Sequence, residues 1–150
     1  MKLHRRQALS LAPLLLAAAA LPRTANAAGI FSEFGVAIRG ADPVAFFTEG
    51  RPVEGNSSFP LTWSGAKWHF ASAANRDRFE ADPLLYAPQF GGWCAWAMTK
   101  SMLAPIDPTA WVIVDDKLYL NFNHRTLERF NRDPAGNIAK ANAAWDAEYA

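Results

Sequence analysis

The first 27 residues limit what this chain can fold into, because they have the features of a cleavable export signal. Lys2, Arg5 and Arg6 precede the apolar run ALSLAPLLLAAAAL, which is short and alanine-rich for a membrane span. Ala25 and Ala27 are small, as a signal peptidase requires, and we expect cleavage after Ala27. The folded part is then residues 28–150, a length that suits one domain with one core.

The adjacent pair Arg5 and Arg6, followed by QALSL, indicates export by the twin-arginine route, which carries folded cargo. Arg23 near the cleavage point and the modest hydrophobicity of the run favour the same route. General secretion stays open, because adjacent arginines also occur in ordinary secretory signals. No cysteine stands at the cleavage point, so we expect no stable membrane anchor and a periplasmic or secreted protein.

Cys94 is the only cysteine, so no disulfide can form within the chain and packing must stabilise the fold. All six tryptophans and all ten phenylalanines follow residue 27, which indicates an aromatic core. Eleven of the 15 basic residues and all 14 acidic residues lie there too, for a net charge of −3. This mildly acidic composition without a basic cluster argues against nucleic acid as a partner.

Two segments have the pattern of β-hairpins. In FPLTWSGAKWHFAS, Ser64-Gly65 forms the turn, with Trp63 and Trp68 on either side. In WVIVDDKLYLNF, apolar residues flank an aspartate-rich turn. Residues 28–58 are interpreted as irregular, with RGADPVAFF as a short extended piece.

Helices are expected between and after the hairpins. Ser72 is expected to cap AANRDRFEAD, which Pro83 ends and in which Phe79 is the core anchor. WCAWAMTK is expected to form a short helix or turn after a tight path through Gly91-Gly92. HRTLERFNR and a last helix from Pro134, capped by Asp133, complete the chain. The sequence therefore predicts a small α+β domain with two hairpins and C-terminal helices packed on the sheet.

Four ordered stretches together resemble the exported YHS-domain proteins, small bacterial proteins of undefined activity. They are ADPVAFFTEGRPVEG, WHFASAANRDRFEADPLLYAPQFGGWCAWA, IDPTAWVIVDDKLYLNF and GNIAKANAAW, and they cover nearly all of residues 37–145. In the wider YHS superfamily, metal-binding members have the patterns DPVC and FCSxxC. This chain has Ala45, Ala71 and Asn75 at those cysteine positions, so the resemblance implies the fold without the usual metal knuckle.

The resemblance also implies that GGWCAWA is a recurring feature, which makes Cys94 the best functional candidate. The thiol has several interpretations, which the sequence leaves open. It is a buried core residue, a ligand or metal contact, a reactive nucleophile, or one half of a disulfide between two chains.

A soft-metal hypothesis adds Met98 and Met102, which follow Cys94 by four and eight residues. On one helix the three sulfur atoms would share a face suited to Cu(I), although the same spacing also describes ordinary core packing. A histidine paired with Cys94 is the other route to copper or zinc. His69 alternates with Trp68 and Phe70 and is expected to face solvent, and His124 is expected at a helix start.

Asp42, Asp107 and Gln89 lie beside prolines, where short polar side chains usually stabilise turns. The order of residues shows no Ser-His-Asp triad, no paired catalytic carboxylates and no phosphate-binding glycine loop.

The favoured hypothesis is a non-enzymatic accessory module that binds a small ligand or a periplasmic protein. Its candidate site residues are Cys94, Asp42, Gln89 and His69. The alternatives are a copper-handling protein using Cys94 with Met98, Met102 or a histidine, a thiol-dependent enzyme, and a structural domain paired through Cys94. The sequence itself requires no cofactor.

Overall fold

Two small sheets organise residues 28–150, the part of the chain that the computed structural model describes. The first has the order β1-β2-β4-β3 and is antiparallel except for the parallel pair of β2 and β4. The second is the antiparallel hairpin of β5 and β6. The strands are β1 Ser32–Glu33, β2 Val36–Ala37, β3 Asn56–Trp63, β4 Ala66–Phe70, β5 Asp107–Val114 and β6 Lys117–Asn121. The expected export signal of residues 1–27 lies outside the described residues.

Short helices connect and cover the sheets, and the α+β class predicted from sequence is confirmed. They are α1 Ala45–Thr48, α2 Ala73–Ala81, α3 Pro83–Tyr86, α4 Ala95–Met98, α5 His124–Asn131 and α6 Pro134–Glu148. Helix α5 contacts both strands of the second sheet, and α6 contacts α4 and α5. From residue 28 onward, no helix combines the length and the apolar character needed to cross a bilayer.

Both predicted hairpins form, and their turns show why. Ser64 and Gly65 have φ angles of 51° and 78°, and Asp115 and Asp116 have 50° and 58°. Positive φ at both central residues matches the right-handed twist of the strands, and glycine and aspartate tolerate it well. In the first hairpin the indole Nε1 of Trp68 also donates to the carbonyl of Trp63 at 3.1 Å.

The predicted helix ends are confirmed by their caps. The Ser72 hydroxyl accepts from the backbone N–H of Asn75 at 3.1 Å, and α2 ends at Ala81 before Pro83. Proline is favoured in a first helical turn because its φ is fixed there and it has no N–H to leave unpaired. Accordingly, Pro83 begins α3 and Pro134 begins α6, after the capping Asp133.

The expectation of an extended piece in RGADPVAFF is wrong. Residues Ala45–Thr48 form α1, and Ile38–Gly40 form a tight turn. The reason is the side chain of Asp42, whose Oδ1 accepts from the backbone N–H groups of Val44 and Ala45 and so begins the helical turn. Strands β1 and β2 were also not expected, because two-residue strands carry no periodic signal.

The core consists of two neighbouring clusters of buried side chains. One joins the first sheet to α1 and α2 and contains Trp68, Phe70 and Phe79, each without solvent exposure. The other joins α4, α5 and α6 to the second sheet and contains Met98, Tyr119 and Phe130. Phe79 is the core anchor that the sequence predicted.

Candidate functional site

Two left-handed turns touch each other just before Cys94. Residues Ile38 to Gly40 have φ angles of 41°, 57° and 78°, and residues Phe90 to Gly92 have 57°, 62° and 84°. A Cβ atom at Gly92 would lie only 2.8 Å from Cγ2 of Ile38. Because left-handed backbone and close approach both favour glycine, Gly91-Gly92 gives the tight path that the sequence predicted.

Cys94 is fully buried and caps the short helix α4, as the sequence allowed. Its Sγ accepts from the backbone N–H of Ala97 at 3.5 Å and from that of Phe122 at 3.2 Å. Its own N–H donates to the carbonyl of Ala104 at 3.0 Å. Cys94 therefore ties the start of α4 to the end of β6 and to the segment before β5.

Asn121 is the partner of Cys94 that the sequence did not reveal. Its side chain is fully buried, and its Oδ1 accepts from the backbone N–H of Trp96 at 3.1 Å and lies 3.9 Å from Sγ of Cys94. Its Nδ2 has no hydrogen-bond partner among residues 28–150. Strand periodicity gives no signal for this residue, because all of Leu118 to Asn121 are buried and alternation fails there.

Asp42, a predicted binding residue, lies in the interior and accepts hydrogen bonds from the chain itself. Its carboxylate is fully buried and accepts four hydrogen bonds, from the N–H groups of Val44, Ala45 and Ala71 and from Nδ2 of Asn75. The Asn75 bond is the shortest, at 2.7 Å. The carboxylate thus fastens α1 to the end of β4 and the start of α2.

The three positions at which the resemblance implies lost cysteines all converge on Asp42. Ala45, Ala71 and Asn75 each present a hydrogen-bond donor to the same carboxylate, so the group of residues present does not fit a metal ion. In the described part of the chain, no group of three or more His, Cys, Asp or Glu residues is placed to hold a metal.

The expectation that Cys94, Met98 and Met102 share one helix face is wrong. Helix α4 ends at Met98, and Ser101 then adopts a φ of 55°, which turns the chain away. Met98 is fully buried in the second core cluster, whereas Met102 is 55% exposed. The three sulfur atoms therefore belong to different surroundings.

The described part of the chain contains two of the three histidines, and neither forms a hydrogen bond with Cys94. His69 is half-buried on the side of β4 opposite Trp68 and Phe70, as alternation predicted, and lines a groove of about 300 Å³. His124 begins α5, as expected, and its Nε2 lies 2.9 Å from the hydroxyl of Thr109.

The place of Asp107 beside a proline predicted a turn between elements, which is wrong, because Asp107 is the first residue of β5. Its side chain bonds within the strand, where the register with β6 shifts between Asp107 and Trp111. Its Oδ1 accepts from the backbone N–H of Thr109 at 2.9 Å and from the Thr109 hydroxyl at 2.8 Å. The backbone bond is the main reason that the pKa of this carboxyl lies below its ordinary value, and burial opposes the shift. The positive charges of His124 and Arg39 lower the pKa further.

Gln89 lines an aromatic cleft of about 370 Å³, which we call the Trp63–Trp145 cleft. Its walls come from residues 29–30, the turn of the first hairpin, α3, the turn before Cys94 and α6. Its lining residues are Gly29, Ile30, Trp63, Ser64, Leu84, Ala87, Pro88, Gln89, Phe90, Gly91 and Trp145. Sequence reasoning identified Gln89 as a candidate but missed the tryptophans, because the lining comes from five separated segments.

Gly91 determines how closely the walls of this cleft approach each other. A Cβ atom there would lie 2.5 Å from the carbonyl oxygen of Gly29 and 3.4 Å from Cη2 of Trp145. The same carbonyl accepts from Nε1 of Trp93 at 3.1 Å, and the N–H of Phe31 donates to the Gly91 carbonyl at 2.9 Å. Gln89, Phe90 and Gly91 therefore form one wall of the cleft, and the buried Cys94 follows them in the chain and holds the start of α4.

Comparisons with known proteins found no relative. The chain matches no protein-family model, no curated protein and no solved structure. Its function is therefore inferred from the geometry of the described residues.

Proposed function

We propose that this chain is an exported accessory module of YHS type that binds a small molecule in the Trp63–Trp145 cleft. The cleft supports this proposal because it is concave, largely apolar and within the usual volume range of small-ligand sites, about 300–1,000 Å³. Cys94 acts in this account as the buried support of the cleft wall and does not touch the ligand.

The chemistry of the lining favours binding over catalysis. Among residues 28–150, no lining residue carries a carboxylate, an imidazole, an amine or a thiol, so none of them offers a ligand a general acid or base. The copper-handling and thiol-enzyme hypotheses have no supporting observation in residues 28–150, because Cys94 has no solvent exposure and Met102 is exposed beyond the end of α4.

The convergence of Ala45, Ala71 and Asn75 on Asp42 supports the YHS-type fold within this proposal. In the superfamily these positions hold the cysteines of one metal site and must therefore lie close together. The same three positions lie close together in this chain, since all three bond to the Asp42 carboxylate. A hydrogen-bonded carboxylate links the same segments instead.

Binding can be tested with the neutral apolar dye N-phenyl-1-naphthylamine, whose fluorescence rises in apolar sites. Leu84 lines the cleft and is 77% exposed, so Leu84→Arg adds bulk and charge at the cleft without disturbing the core. Leu85, in the same helix, is 47% exposed and is not a lining residue, so Leu85→Arg is the matched control.

We expect the wild type and Leu85→Arg to bind the dye with Kd values within about twofold of each other, and Leu84→Arg to bind at least about tenfold more weakly. An absence of dye binding by the wild type, or equal binding by all three proteins, would contradict the proposal.

A further inference from the structure

The lining of the Trp63–Trp145 cleft restricts the charge of its ligand. None of its eleven residues has a charged side chain. A charged ligand would lose hydration on entering such a site and gain no opposite charge in return. The cleft therefore selects neutral molecules.

The aromatic lining residues are held in place by other rings. Trp63 packs against Phe79 in an edge-to-face arrangement with centroids 5.5 Å apart. Trp145 packs against Phe90 and Tyr149, with centroids 6.0 Å and 5.8 Å apart. Rings that are already ordered lose little freedom on binding, and indoles gain most from planar aromatic partners.

Two backbone carbonyls of the cleft are paired within the chain, whereas four lining side chains have polar groups with no hydrogen bond among residues 28–150, namely Trp63, Ser64, Gln89 and Trp145. The Gly29 carbonyl accepts from Trp93, and the Gly91 carbonyl accepts from Phe31. Gln89 is half-buried, and of these four side chains it alone combines an N–H donor with a C=O acceptor. A primary amide offers an N–H donor beside a carbonyl acceptor, and a group with the reverse pair satisfies both.

We infer that the ligand is a neutral, planar ring system that carries an N–H next to a C=O, as in a cyclic amide. Its ring contacts Trp63 and Trp145, and its amide edge pairs with the amide of Gln89. This inference rests on the proposed function, because it specifies the chemistry of a ligand in the same cleft.

The test compares three bicyclic molecules of similar size by displacement of N-phenyl-1-naphthylamine. 2-Quinolone has the cyclic amide edge, naphthalene has no polar edge, and 2-naphthoate is an anion. The proteins are the wild type, Gln89→Leu, which removes the amide with little change in size, and Asn142→Leu, which makes the same kind of change at an exposed amide of α6 that does not line the cleft.

We expect the wild type and Asn142→Leu to bind 2-quinolone at least about tenfold more tightly than naphthalene, and 2-naphthoate most weakly. In Gln89→Leu, binding of 2-quinolone should fall to that of naphthalene, which itself should not change. If naphthalene binds the wild type as well as 2-quinolone does, if the preference survives in Gln89→Leu, or if 2-naphthoate binds best, the inference is overturned and the proposed function stands. If none of the three displaces the dye from a protein that binds it, the inference also fails. If the dye itself does not bind, both proposals fail.

Discussion

The backbone N–H of Phe122 donates to the thiol sulfur of Cys94, with nitrogen and sulfur 3.2 Å apart. This bond joins the end of β6 to the start of α4 across 28 residues of chain. Sulfur here performs the task of a serine or aspartate oxygen at a helix start, since it also accepts from the N–H of Ala97. The single cysteine is therefore a structural cap that supports one wall of the Trp63–Trp145 cleft.

Replacing Cys94 should separate its packing role from its acceptor role. Cys94→Ala leaves the N–H groups of Ala97 and Phe122 without their acceptor and removes buried volume, so we expect a loss of about 2–4 kcal/mol in the free energy of unfolding. Cys94→Ser keeps an acceptor and should lose about 1 kcal/mol less. Urea unfolding followed by tryptophan fluorescence measures both.

The burial of Cys94 can be tested separately by the rate at which a thiol reagent modifies it. Since Cys94 has no solvent exposure, a thiol reagent should modify it much more slowly in buffer than in urea. In the Cys94→Ser background, Ala143→Cys adds a thiol at an exposed position of α6, which should react rapidly in both conditions. Equal reactivity of Cys94 in the two conditions, or a serine variant less stable than the alanine variant, would contradict the capping role.

Asp42 should be among the most important polar residues for stability. Asp42→Ala leaves two buried and two part-buried donors without their acceptor, and we expect a loss of about 3–5 kcal/mol. Asn75→Ala removes one donor to the charged group and should cost about 1.5–3 kcal/mol. Asp77→Ala, an exposed residue of the same helix, should change stability by less than about 0.5 kcal/mol. Equal effects of the Asp42 and Asp77 substitutions in urea unfolding would refute the fastening role.

Asp107 should contribute to the acid sensitivity of the fold. Hydrogen bonds from Thr109 hold its folded-state pKa below 3.8, so its carboxylate adds stability above the unfolded pKa, and this contribution is lost as the pH falls through the folded pKa. A carboxyl titration followed by NMR should give a midpoint below 3.8, and Thr109→Val, which removes the hydroxyl donor, should raise it. A midpoint at or above 3.8 in the wild type would contradict this assignment.

Tyr119 should make the stability of the fold depend on pH under alkaline conditions. Burial, with a smaller effect from the negative charge of Asp115, raises its pKa above the ordinary 10.0. The folded state then holds this proton more tightly, so stability that is fully present below pH 10 is lost as the pH rises through the folded pKa. The phenolate absorbance of the wild type minus that of Tyr119→Phe should show a transition above pH 10.0. A transition below that value would be inconsistent with the buried phenol.

Much of the fold could be predicted from local patterns. The turns at Ser64-Gly65 and Asp115-Asp116 and the caps at Ser72 and Asp133 each depend on a few adjacent residues, and the structure has all of them. Prediction failed at Asp42, whose carboxylate has adjacent partners in Val44 and Ala45 as well as distant ones. Asp42 converted an expected extended segment into α1, and its carboxylate also receives donors from residues about 30 positions away.

The candidate site was predicted less well than the fold, for a related reason. The sequence predicted a functional role for Cys94. In the structure its thiol is fully buried and lies 3.9 Å from the side-chain oxygen of Asn121, a residue 27 positions away in the chain. The cleft needs Trp63 and Trp145, which are far apart in the chain and each of which looks like an ordinary core residue in its own segment. Only the folded arrangement brings them to one surface.

The central claim is that the Trp63–Trp145 cleft binds a small neutral ring. The most direct measurement is an NMR titration of nitrogen-15-labelled protein with unlabelled indole, following the six tryptophan indole N–H signals. If indole binds in the cleft, the signals of Trp63, Trp145 and the Gln89 side-chain amide should shift. The signals of Trp96 and Trp111, which do not line the cleft, should stay unchanged. Shifts confined to Trp96 or Trp111, or no shift in any of the six signals, would contradict the claim.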